Sequence, residues 1–214
     1  MTGTPNPWLS IPAADYEAHM ASRAVAQAQL LSGILRESVE RWEPVSVAVL
    51  GCSAGNGFEH LRGHFLGRVV AVDINPEYIE TTRERYTGSV PGLETICADI
   101  AAVELEPGSI DLVSCALVIE YVDAETVVSK AARWLRPGGV LSVVLQLPSE
   151  GLDEVTPTEY ESLRLLEGFM RLVDPGALDL LAGRLGLETA TDRAIRMETG
   201  KEFRLVEYRR PLSA

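Results

Sequence analysis

Cysteine and histidine are scarce in this chain of 214 residues, which holds three of each. Cys52, Cys97 and Cys115 lie far apart with no Cys-x-x-Cys pair, and an odd, scattered set reads as free thiols in a reducing cytoplasm. His60 and His64 have the i,i+4 spacing of a helical metal pair, yet no Glu lies between them and Gly63 weakens a helix there, so no metal site is expected. Positive charge is in deficit as well. Lys and Arg number 19 against 31 Asp and Glu, a formal net charge of −12, which argues against the phosphate backbone of nucleic acid and against anionic membrane surfaces as partners. No stretch approaches the roughly 18–20 uncharged apolar residues of a membrane span. Met1 to Asn6 lacks the positive start and apolar run of a signal peptide. The expectation is a cytoplasmic protein.

Hydrophobic residues make up 46% of the chain and charged residues 23%, values that fit one folded domain with a sizeable core. No internal repeat, low-complexity segment or long linker interrupts it. The first dozen residues, with Pro5, Pro7 and Pro12, are expected to be irregular or extended. From Ser22 to Trp42 the apolar positions Val25, Ala28, Leu31, Leu35 and Val39 step by three or four, a helical stripe that Glu43-Pro44 closes. Strands are expected at 45–50, 68–73, 93–98, 109–115 and 140–147. Helices are expected at 76–86, with Asn75 as N-cap, and at 123–135, stopped by Arg136-Pro-Gly-Gly139. Further helices are expected over 157–173, with a break at Gly168, and over 175–185. Strands at 187–195 and 202–209 alternate weakly and lie close enough to pair antiparallel. Strands alternating with helices predict an α/β, doubly wound, mostly parallel sheet whose ligands lie outside the carboxyl ends of the strands.

The informative segment is Val47-Ala-Val-Leu-Gly51-Cys52-Ser53-Ala-Gly55-Asn56-Gly57-Phe-Glu-His60, a buried strand running into a glycine-rich turn that is expected to open a helix. Twenty-two residues after Gly51 a second strand ends in Asp73, the separation at which a carboxylate reaches a ribose diol. The glycine spacing is Gly-x-x-x-Gly-x-Gly, not the Gly-x-Gly-x-x-Gly of dinucleotide binding. His60 stands where the third, small residue would be needed, so a nicotinamide-dependent oxidoreductase is the lesser reading.

From about Val45 to Leu147 the sequence resembles the class I S-adenosylmethionine-dependent methyltransferases. Val-Leu-Gly51-Cys52-Ser53-Ala-Gly55-Asn56-Gly57 resembles the family's first motif, whose loop wraps the methionine half of the cofactor. Asp73, with Ile74, matches the acidic end of the second strand, which in the family holds the ribose hydroxyls. Cys97-Ala-Asp99-Ile100 matches the third, where the resemblance gives Asp99 the adenine amino group and packs Ile100 on the ring. Asp111-Leu-Val-Ser-Cys-Ala116-Leu117, followed by Val118-Ile-Glu120-Tyr121 and then Leu135-Arg-Pro-Gly-Gly139, matches the fourth strand and the turn before the fifth. The resemblance implies a seven-stranded Rossmann-like sheet with an antiparallel C-terminal pair, S-adenosyl-L-methionine as cofactor and S-adenosyl-L-homocysteine as product. Two positions depart from the pattern. Val49 stands where the first strand usually carries an acid, and Ser53 occupies the middle of the glycine triplet, so the methionine ammonium must find acceptors elsewhere, such as the Gly51 carbonyl.

The expected organisation is an N-terminal flap and helix over 1–43 packed on one Rossmann-like domain over 44–214, with substrate-lid helices in 148–185. The stretch Trp8-Leu-Ser-Ile-Pro12-Ala-Ala-Asp15-Tyr16-Glu-Ala-His19-Met20 clusters Trp, Tyr, His and Met before the first long helix, and it resembles a segment of a less characterised bacterial methyltransferase subgroup. Tyr16 and His19 either face the sulfonium and substrate or anchor the flap. His19 is the first candidate for a general base and Glu120 the second. The expected acceptor is a small, partly apolar molecule bound near Tyr160, Phe169 and Met170, and an O, N, S or C atom would take the methyl group. A cofactor-binding regulatory protein, or an enzyme that uses the sulfonium for other chemistry, remains the alternative. The last strands offer an edge for a homodimer, which nothing in the pattern demands.

Overall fold

Residues 6–64 and 67–212 are described by the structure, a computed structural model. Seven strands form one sheet: β1 (Ser46–Leu50), β2 (Arg68–Asp73), β3 (Leu93–Cys97), β4 (Ile110–Ala116), β5 (Leu135–Leu147), β6 (Glu188–Arg196) and β7 (Glu202–Arg209). Their spatial order is β3-β2-β1-β4-β5-β7-β6. The first five run parallel, and β7 pairs antiparallel with both β5 and β6. Five helices accompany them: α1 (Ala13–Ala21), α2 (Gln27–Trp42), α3 (Pro76–Tyr86), α4 (Ala124–Trp134) and α5 (Pro175–Arg184).

Alternation along the central strands assigns the helices to faces. Val47 and Val49 of β1, with Val69 and Ala71 of β2, pack against Leu35 and Val39 of α2 and Ile79 and Tyr86 of α3. The intervening Ala48, Leu50, Val70 and Val72 point the other way, onto Val127, Ala131 and Trp134 of α4 and Leu178 and Leu181 of α5. Both faces are covered, so β1 is buried at all five positions. The chain leaves β1 towards β2 and β3 on one side and resumes at β4 and β5 on the other. That switch point opens a crevice at the carboxyl ends of β1 and β4.

The pin that fixes this centre is Asp111. Its Oδ2 accepts from the Val45 N–H at 3.0 Å, the Ser46 N–H at 2.9 Å and the Ser46 hydroxyl at 2.9 Å. Arg136, in the turn before the straight run of β5, forms an ion pair with it. One buried carboxylate thus ties together the starts of β1 and β4 and the Arg-Pro-Gly-Gly turn.

Several elements differ from the sequence expectation. The helix expected over Ser22–Trp42 is shorter: α1 ends before it at Ala21, and α2 starts only at Gln27, after Ala26 takes a left-handed φ of 51°. Residues Pro7–Ser10, expected to be irregular, form a short 3-10 helix capped by Asn6. The glycine-rich turn opens no α-helix; Phe58–Leu61 is a single 3-10 turn between Gly57 (φ 83°) and Gly63 (φ 78°), whose left-handed backbones stop propagation at both ends. In 148–185 the expected lid helices reduce to a 3-10 helix, Glu161–Leu166, and α5. Leu163 and Leu166, three apart, share one face at the 3-10 period and are buried with Ile11, and Gly168 (φ 72°) ends the run. Strand β5 begins at Leu135 rather than Val140, because the turn residues continue the ladder through a register shift opposite Ile110 and Leu112.

Replacing Asp111 by Ala leaves the Val45 and Ser46 N–H groups without their acceptor, while the Ser46 hydroxyl can still donate to the Ser109 carbonyl. Urea unfolding of D111A is expected to show a loss of about 2–4 kcal/mol against the wild type, and an unchanged midpoint would remove Asp111 from this role.

Candidate active site

The crevice is shaped first by backbone conformation. Gly51 takes a φ of +66°, and a Cβ there would lie 2.6 Å from Cγ2 of Val118, so only glycine fits between the first loop and the segment after β4. Ser53 (φ 51°) and Leu117 (φ 51°), on the two sides of the switch point, hold left-handed backbones without being glycine. Asp73 holds the loop in place. Its Oδ2 accepts from the Ser53 N–H and its Oδ1 from the Asn75 N–H, both at 2.9 Å. Burial pushes the Asp73 carboxyl up, and these backbone donors pull it partly back.

Three adjoining cavities lie along the crevice, two of them bordered by Gly51. The first, about 60 Å³, lies between Asp73, Ile74, Asp99 and Ile100 below and Trp8 and Tyr121 above. The second, about 190 Å³, is lined by Gly51, Cys52, Ser53 and Asn56 of the loop, by Ser114 and Ala116 of β4, and by Tyr16, Glu17 and Met20 of α1. Val49 and Glu17 also line it, and the Glu17 carboxylate is paired with Arg85. The third, about 50 Å³, is enclosed by Tyr16, His19, Met20 and Gln27, by Leu117 and Tyr121, and by Gln146, Glu154, Leu163, Met170 and Lys201. Gly51 is common to the first two, while Tyr16 and Met20 are common to the second and third.

The roof is the N-terminal flap. The Asn75 side-chain amide donates to the Trp8 carbonyl at 2.9 Å and to the Ile11 carbonyl at 3.0 Å, while its Oδ1 caps α3 by accepting from the Glu77 N–H. Glu77 Oε1 accepts from the Ala13 N–H, Glu17 pairs with Arg85, and Asp15 accepts from the Ser162 hydroxyl. Trp8 packs edge-on against Tyr16 (5.4 Å between centroids) and Tyr121 (5.0 Å), and Tyr16 stacks on Tyr78 at 5.8 Å.

Behind the third cavity sits Glu120, only 2% exposed. Its Oε1 accepts from the Gln146 N–H at 2.9 Å, and its Oε2 has no partner among the described residues. Burial pushes its carboxyl up to about 7. His19 moves the opposite way: burial, then the nearby Lys201 charge, lower its pKa and favour the neutral ring. Burial raises the thiols of Cys52 and Cys115, the latter to about 12, so both are protonated at neutral pH.

Of the residues picked from sequence, Gly51, Cys52, Ser53, Asn56 and Ala116 line the second cavity, Asp73, Ile74, Asp99 and Ile100 the first, and Leu117, Tyr16 and His19 the third. Gly55 lines none of them and instead packs on Tyr86. Glu120 also stays off the walls, separated from the third cavity by Gln146. His60, off a helix, hydrogen-bonds the Ser32 hydroxyl at 3.0 Å. Sequence reasoning missed Glu17, Gln146 and Lys201. Gln146 falls in a strand that reads as apolar, and Lys201 in a Gly-Lys-Glu turn that reads as solvated.

Residues 48–143 match a family described as methyltransferase domain. Carboxy-S-adenosyl-L-methionine synthase of Shewanella loihica is 29% identical over 146 residues, 65% of this chain and 58% of that protein. The chain spans between 34% and 58% of the length of the curated relatives it matches. The N-methyltransferase NodS of Bradyrhizobium japonicum, solved with S-adenosyl-L-homocysteine, shares the fold at a TM-score of 0.68 and 18% identity, covering 93% of this chain and 98% of that one. The cyclase SpnF does so at a TM-score of 0.70 and 12% identity, covering 88% and 82%. Over residues 48–143 the chain thus matches a methyltransferase-domain family, and its sheet order is the fold shared with these two solved structures.

Proposed function

We propose that this protein transfers a methyl group from S-adenosyl-L-methionine to a small-molecule acceptor held in the third cavity. The observation that carries this reading is the adjacency of the three cavities: Gly51 lines both the first and the second, and Tyr16 and Met20 line both the second and the third. The residues present suit the cofactor. Asp73 and Asp99 would hold the ribose and adenine, Ile74, Ile100 and Leu117 would pack against them, and the Gly51–Asn56 loop with Ala116 would hold the methionine part. Glu17 would supply the carboxylate that Val49 lacks. When bound, S-adenosyl-L-methionine supplies an electrophilic methyl carbon on a sulfonium.

The protein's own work is then positional. Two reactants aligned in adjoining pockets recover about 7–11 kcal/mol of the barrier from proximity alone. Trp8, Tyr16 and Tyr121 close the roof and exclude water. Neutral His19, on the cavity wall, is placed to take a proton from a protonated acceptor. Glu120 lies off the cavity walls, bonded to the Gln146 N–H, and its carboxyl is pushed up to about 7, so it would act near the acceptor without touching it. A net charge of −12 supports a small metabolite over nucleic acid as acceptor. Val49 favours a second reading, an enzyme that binds the sulfonium for chemistry other than methyl transfer. SpnF, a cyclase on this fold, shows that the fold alone does not fix the reaction.

Calorimetric titration with S-adenosyl-L-methionine is expected to give micromolar affinity. G51A, whose Cβ meets Val118, is expected to abolish binding, D73A to weaken it about ten- to a hundredfold, and E17Q to weaken it less. Binding unchanged in D73A would sink the cofactor assignment. Transfer of labelled methyl from the cofactor to a metabolite fraction separates methyl transfer from the second reading.

A pH effect follows from Glu120. Its pKa rises from an ordinary 4.5 to about 7 on folding, so its contribution to stability is complete below about pH 4.5 and is lost as pH rises to 7, a total of about 3 kcal/mol. Subtracting the E120Q stability curve from that of the wild type is therefore expected to give a difference that falls over pH 4.5–7 and then levels off. A flat difference would show that the carboxyl is not held neutral by burial.

A further inference from the structure

We propose that the acceptor carries a carboxylate and that Lys201 is the residue that recognises it; this rests on the methyl-transfer reading of the same cavity. Lys201 immediately precedes β7, and its side chain lines the third cavity while the residue is only 5% exposed. Its ammonium donates to the Glu154 carbonyl at 2.7 Å and, at a long 3.4 Å, to Gln146 Oε1. An ammonium has three donors, so at least one remains for a ligand. Among the described residues no carboxylate lies within the 4.0 Å of an ion pair with it.

Buried charges are normally paired, because removing an ion from water costs several kcal/mol that neutral dipoles only partly repay. The acidic side chains on the adjoining loop, Asp153 and Glu154, are exposed and act on Lys201 only through space. Glu120, a buried acid off the cavity walls, accepts from the Gln146 N–H and makes no ion pair with Lys201, and burial pushes its carboxyl up to about 7, so it is only partly ionised near neutral pH. Gln146 cannot turn to help, since its Nε2 donates to the Glu154 carbonyl at 2.8 Å. The rest of the wall offers no anion. His19 is pushed towards its neutral form in part by Lys201 itself, and Met20, Leu117 and Leu163 are apolar. Burial lowers the Lys201 pKa and the attraction of Asp153 and Glu154 offsets this only in part, so a neutral acceptor would leave the cation without a paired counter-charge, and an acceptor carboxylate would supply one with a charge-assisted hydrogen bond. A cavity of about 50 Å³ restricts the buried part of that acceptor to a short acid end.

The probes are acetate and propionate against the isosteric acetamide and propionamide. Each is titrated into the full chain loaded with S-adenosyl-L-homocysteine, at fixed ionic strength, with affinities read by NMR shifts. Each carboxylate is expected to bind about ten- to a hundredfold more tightly than its amide. K201M is expected to erase that preference and K201R to retain it, with homocysteine-product affinity unchanged in both. Equal affinities, no carboxylate binding, or a preference surviving in K201M would overturn the assignment. Should K201M fail to fold, the wild-type ratio decides by itself. Failure of the wild type to bind S-adenosyl-L-homocysteine would count against the methyl-transfer reading instead, and the same titrations on the unloaded chain would still test Lys201.

Discussion

The Asn75 carboxamide is the contact on which the site's shape depends. It is 3% exposed and leaves no polar atom idle: two N–H bonds go to the Trp8 and Ile11 carbonyls, its oxygen caps α3, and its backbone N–H reaches Asp73. A single amide therefore fixes the end of β2, the start of α3 and the roof of all three cavities. Few other side chains can do this, because the position needs two donors, an acceptor and a short reach together. The remaining flap contacts, through Glu77, Arg85 and Ser162, are spread along α1 and hold it after the amide has set its origin.

Charge is distributed along the crevice in an ordered way. Acids stand around the first two cavities, in Asp73, Asp99 and Glu17, while the third carries the buried Lys201, with Glu120, its carboxyl pushed up to about 7, behind its walls. Between them Tyr16, Met20 and Leu117 form a low-dielectric middle. A positively charged methyl donor and an anionic acceptor would each meet their own counter-charge, with no strong charge of the protein at the point where they face one another. In such a middle, electrostatic contacts are screened little by water, so small displacements there have large effects.

Much of the architecture was legible in the sequence because it rests on local signals. The valine-rich strands, the Asn75 cap and the Pro-Gly-Gly stop act within a few residues of themselves, and the sheet follows from their alternation. The failures share a different cause. Whether the glycine-rich turn continues into a helix depends on Gly57 and Gly63 both taking left-handed backbones, which composition alone does not decide. Leu163 and Leu166 are compatible with either an α or a 3-10 period, and burial against Ile11 chooses the tighter one. The cofactor loop was readable because its glycines and Asp73 are close in sequence. Glu17, Gln146 and Lys201 were not, since each acquires its role from residues tens to more than a hundred positions away.

The position of β7 has a consequence for how the protein is made. Strand β5 finishes its hydrogen bonds only when residues 202–209 slide in beside it, and β6, although synthesised earlier, has no place in the sheet until then. During translation β1 to β5 emerge with one flank of β5 bare, a template for mispairing with other nascent chains. Lys201 arrives with the same strand. The third cavity is therefore completed only once this strand has emerged, after every residue lining the first two.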